Sequence, residues 1–99
     1  MKNLKTTLNE LRSRYEVVHK KMDKLCSRYY WILPSDAFFG LFYLSVSLLN
    51  LNFNLGILER CISSGKADES GLLEECSILD GMLSEFEDRL FDLKKEIIV

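Results

Sequence analysis

Glu16 and His19 stand three residues apart in a stretch patterned as a helix, so a carboxylate and an imidazole share one face. Glu-x-x-His spacing of this kind supplies ligands to the dinuclear metal sites of four-helix bundles. Such a site also draws inward-facing carboxylates from neighbouring helices, and Ala37 to Leu58 contains no charged side chain at all. Heptad phase turns Glu16 away from the apolar seam and leaves His19 at its edge. The sequence therefore predicts a solvated histidine and neither metal nor cofactor.

His19 is the only histidine in the chain, so any Cys/His or Ser/His/Asp arrangement would have to use it. Cys26 is its one neighbour in spacing, seven residues further along the same helix, and nothing connects the two as nucleophile and base. Cys26, Cys61 and Cys76 are far apart and show no CxxC pair, which points away from a disulfide framework or a zinc site and towards a reducing, cytoplasmic compartment. Cys76 falls in an apolar seam and reads as core. The five glycines are isolated, so no phosphate-binding loop is formed. No catalytic residue is assigned and the chain reads as a non-enzyme. No secretory leader is expected, because the first segment is a charged amphipathic helix.

Lys5, Arg12, Arg14, Lys20, Lys21, Lys24 and Arg28 could follow a phosphate backbone while Tyr30 or Trp31 stacks on a base. Charge elsewhere offers them another role. Residues 1–28 hold eight basic and three acidic side chains, whereas residues 59–99 hold five basic and eleven acidic ones, within a total of only -2. A basic first segment and an acidic last one attract each other, which makes nucleic-acid binding the third-ranked reading. The acidic segment alone could also imitate nucleic acid towards a basic partner.

Three apolar rows must position all of these groups. Leu4, Leu8, Leu11, Tyr15, Val18, Met22, Leu25 and Tyr29 recur at intervals of four and three; so do Leu72, Cys76, Leu79, Leu83, Phe86, Leu90, Leu93 and Ile97. Leu41, Leu44, Leu48, Leu51, Leu55, Leu58 and Ile62 form the third row. The pattern predicts one all-α domain over residues 1–99, with helices over about 3–30, 36–62 and 68–98. Pro34 separates the first two, Ser35 or Asp36 caps the second, Gly65 ends it and Asp68 caps the third. Short connections favour three long antiparallel helices, up-down-up, in a coiled-coil-like bundle about 40 Å long that forms an oligomer. Lys5, Arg12, Arg14, Lys21 and Arg28 beside the first row are expected to face Glu75, Asp80, Glu87 and Glu96 beside the last.

The middle helix poses the functional question. Besides its leucine row it carries Phe39, Phe42, Val46, Leu49, Phe53 and Ile57 on another side, and two apolar faces predict two neighbours. A third row of Tyr43, Ser47, Asn50 and Asn54 is polar without charge and is expected to face water unless a partner covers it. The leading expectation is a protein–protein interaction module, such as an adaptor, chaperone or inhibitor, that pairs with itself or a larger protein through this helix. Its contact is placed around Leu48, Leu51 and Leu55, with Asn50 and Asn54 giving specificity, Tyr43 and Ser47 in the same polar row as further contact residues, and Tyr30 and Trp31 as an aromatic anchor. A single membrane pass is the runner-up: 22 uncharged residues span about 33 Å, although Ser45, Ser47, Asn50, Asn52 and Asn54 interrupt them.

Overall fold

The computed structural model describes residues 3–29, 35–65 and 68–97. Three helices, α1 (Leu4–Tyr29), α2 (Ser35–Ser64) and α3 (Glu69–Ile97), pack against one another as a bundle 47 Å in its longest dimension. Tyr30 and Trp31 lie outside the described residues, as do Pro34, Lys66 and Ala67.

Local chemistry fixes the ends. Asn3 caps α1, its side-chain oxygen accepting from the Thr6 amide at 2.7 Å, which satisfies a donor that has no partner within the helix. Asp68 caps α3 in the same way, accepting from the Gly71 amide at 3.3 Å and the Ser70 hydroxyl at 2.8 Å. Gly65 has φ of 66° and donates its amide to the Ile62 carbonyl, the left-handed closure that a side chain would strain. At the start of α2, Asp36 places its charge in the positive first turn.

The core is built from the three predicted rows, with Leu4 and Ile62 partly buried at its ends and Tyr29 and Ile97 outside the described side chains. Leu8, Leu11, Tyr15, Val18, Met22 and Leu25 of α1 are buried against Leu41, Leu44, Leu48, Leu51, Leu55 and Leu58 of α2, and Leu72, Cys76, Leu79, Leu83, Phe86, Leu90 and Leu93 of α3 close the third side. Among the described residues no polar or charged side chain is buried. Each helix lies in the groove between the other two, so one stripe about 100° wide meets both neighbours. That geometry corrects the expectation that two apolar faces on α2 imply two neighbours within the chain: the leucine row serves α1 and α3 together.

Polar pairs border the core. Arg14 binds Asp80, donates to Glu87 at 2.5 Å and reaches Ser84 at 3.0 Å, the expected attraction between α1 and α3. Arg12 departs from it. Its guanidinium grips both carboxylate oxygens of Glu59 and donates to Asn52 at 2.8 Å, so it joins α1 to α2. Arg12 also lies over the Tyr15 ring, 5.2 Å from its centre.

Candidate interaction face on the second helix

Successive residues of a helix turn by 100°, and this rotation divides α2 into four strips. Leu41, Leu44, Leu48, Leu51, Leu55 and Leu58 face the core. Ser45, Asn52 and Glu59 run along the border with α1, where Arg12 engages Asn52 and Glu59. Ser45 Oγ donates to the Leu41 carbonyl at 3.0 Å. Tyr43, Ser47 and Asn50 run along the border with α3 and line a shallow groove with Met82, Glu85, Phe86 and Arg89. Arg89 lies 5.3 Å from the Tyr43 ring centre and donates to Glu85 at 2.6 Å. Asn54 donates to the Asn50 carbonyl at 2.9 Å, within its own helix.

The fourth strip points away from the bundle. Phe39, Phe42, Val46, Leu49 and Phe53 are each more than half exposed, and Ile57 is 39% exposed. Their spacing of three, four, three, four and four is that of a coiled-coil seam, yet α1 and α3 lie on the opposite side. Gly56 continues the row, and a Cβ atom there would touch nothing within 4 Å. Asp36 is exposed beside one end of the strip and Arg60 at the other.

These positions redraw the contact expected from sequence. Leu48, Leu51 and Leu55 are buried at 6%, 2% and 2% exposure, so they hold the bundle together and cannot meet a partner without opening it. Tyr43 and Asn50 are exposed, and Ser47 and Asn54 partly so; Tyr43, Ser47 and Asn50 line the shallow groove against α3. Tyr30 and Trp31 fall outside the described residues. The phenylalanine-rich row is visible in the sequence as a second apolar face, and the fold gives it no neighbour among the described residues. Choosing which of two apolar rows faces inward requires the phase of α2 against α1 and α3, and the continuous leucines, level with the other two seams, were the available signal.

The groups that suggested chemistry lie elsewhere. Glu16 is exposed; His19 stacks on Tyr15 with ring centres 5.7 Å apart and has Nδ1 3.6 Å from Asp23. Among the described residues no three His, Cys, Asp or Glu side chains converge where a metal ion could bind. Burial raises the thiol pKa of Cys26 and of Cys76, which disfavours thiolate at both. Of the basic residues on α1, Arg12 and Arg14 are committed to carboxylates, while Lys5, Lys20, Lys21, Lys24 and Arg28 are exposed.

By length and composition α2 could cross a membrane over Phe38–Ser64, and a third of its apolar window is buried inside the bundle. Comparison with known protein families, with curated proteins and with solved structures finds no match to this chain.

Proposed function

We propose that this chain is a non-enzymatic protein–protein interaction module whose working surface is the outward row of α2, and that the occupant is another helix with apolar residues at the same spacing. One observation carries the proposal: Phe39, Phe42, Val46, Leu49 and Phe53 form a heptad-spaced row that remains mostly exposed after the bundle has closed. Alternating intervals of three and four generate holes that receive the knobs of a facing helix. An apolar helix face that meets lipid repeats at the same intervals, so the residues flanking the row separate the two coverings. A helix lying on a membrane surface is typically bordered by Lys and Arg, whereas Ser45, Ser47, Asn50 and Asn52 border this row.

An up-down-up course of the three helices belongs to the same reading. It is supported by Arg12 meeting Glu59 while Cys26 meets Ser45, and by Gly40 lying against Leu93 while Asn50 lies near Met82. In that course α1 and α3 close one side of α2 and leave the other open along its length. The cytoplasm is the proposed compartment, since the three cysteines lie on three different helices and Cys76 serves as a core residue.

A photoreactive phenylalanine analogue at Phe53, with the same analogue at the exposed Phe91 of α3 as control, tests the proposal in expressing cells. The expected result is a protein adduct from position 53 alone, mapped by mass spectrometry to a segment whose apolar residues are spaced by three and four. Adducts to lipid only, no adduct, or equal yields from both positions would overturn it.

A further inference from the structure

We infer that the helix covering this face is α2 of a second copy of the chain, running in the opposite direction about a two-fold axis. The inference rests on the helix-docking reading of the row and names its partner. Its first support is complementarity of size. If two copies of α2 pair in opposite directions with the axis between Ser47 and Leu48, residue i of one faces residue 95 - i of the other. Val46 then meets Leu49, Phe42 meets Phe53, and Phe39 meets Gly56. The last pair places a large ring over the position where a Cβ would touch nothing in the chain itself. That is a knob and a hole about 26 Å apart along one helix, each supplied with its counterpart by the symmetry.

Charge supports the same direction. Asp36 and Arg60 are exposed and bear opposite charge near opposite ends of the row. Opposed helices bring Asp36 of each copy level with Arg60 of the other to within one residue, and this happens twice; Glu59, which the same relation sets level with Asp36, lies on the α1 border and is held by Arg12. Helices running together would set Asp36 against Asp36 and Arg60 against Arg60. Between the ends, the same relation sets Ser45 level with Asn50 and Tyr43 level with Asn52, and this stretch of α2 carries no Lys, Arg, Asp or Glu that the contact would leave unpaired.

The area is sufficient. Six side chains contributing on the order of 100 Å² each give about 600 Å² per copy, or roughly 1,200 Å² in all, at the lower limit for a specific interface. A dimer that dissociates at micromolar concentration or above fits that size.

Light scattering of the full chain over a wide concentration range, repeated with charge variants, tests the inference. The expected result is a monomer–dimer equilibrium that Leu49→Lys shifts at least about 100-fold towards monomer. Asp36→Arg and Arg60→Asp should each weaken it by about tenfold, and the doubly exchanged chain should recover the original constant. A monomer at every concentration would overturn the inference, as would a dimer indifferent to Leu49→Lys or to the single charge reversals. A monomer whose position 53 still cross-links to a helix of another protein would reject the second copy and leave the helix-docking reading standing; adducts to lipid alone would reject both.

Discussion

Leu48 and Leu49 are consecutive, yet Leu48 is 6% exposed and Leu49 is 69% exposed. A rotation of 100° separates them, which carries one into the centre of the bundle and the other onto the outward row. The two residues therefore separate what the fold needs from what an interaction needs.

Leu48→Ala should destabilise the chain by about 2–5 kcal/mol through lost burial and a cavity, whereas Leu49→Ala should change stability by about 0.5 kcal/mol or less in the monomer. Chemical denaturation at high dilution, followed by circular dichroism, checks both. Equal losses would mean that α2 is rotated from the orientation described.

Arg14 joins α1 to Asp80 and Glu87 on α3, and Arg12 joins α1 to Glu59 on α2. All of these groups are partly open to water, so Arg14→Ala and Arg12→Ala should each cost about 1 kcal/mol or less. The losses should shrink between low and high salt. Unfolding at two ionic strengths gives the comparison, and a loss several times larger and insensitive to salt would indicate a buried pair.

Much of this architecture was legible in the sequence because three separate rows repeat at helical spacing, and Asn3, Asp68 and Gly65 mark ends by their own local chemistry. The partner of Arg12 was not legible. Its distance in sequence from Glu59 is comparable to its distances from carboxylates on α3, and only the rotation of α1 decides between them. The outward row was legible as apolar and not as exposed. Periodicity reports that two rows exist, whereas packing of all three helices determines which row the core accepts.

Asp68 links helix capping to pH. Its hydrogen bonds from the Ser70 hydroxyl and the Gly71 amide lower its carboxyl pKa below the ordinary value. The folded form thus holds the proton less tightly than the unfolded chain does. The contribution of the cap is complete above the ordinary carboxylate range and is lost as pH falls through the depressed folded value. The start of α3 should fray under acid, seen as faster exchange of the Gly71 and Leu72 amides by NMR. Asp68→Asn should remove this dependence, and an unchanged acid response in that variant would assign it to other carboxylates.

Cys76 is 2% exposed, and burial raises its thiol pKa. Cys26 and Cys61 are only partly covered. A small thiol reagent at neutral pH should therefore modify Cys26 and Cys61 in the folded protein and reach Cys76 at the rate of unfolding. Mass spectrometry of the labelled peptides distinguishes the sites. Rapid labelling of Cys76 would contradict its place in the core.

Hydroxyl-radical footprinting of the intact chain across its dimerisation range tests the central claim most directly, because it reports the exposure of individual side chains on a named face. Phe39, Phe42, Leu49 and Phe53 should become protected together as concentration rises, while Val17 on α1 and Phe91 on α3, both exposed, remain equally reactive throughout. Unchanged labelling of the α2 row at every concentration, or protection centred on Val17 or Phe91, would contradict the assignment of that row as the contact between two copies.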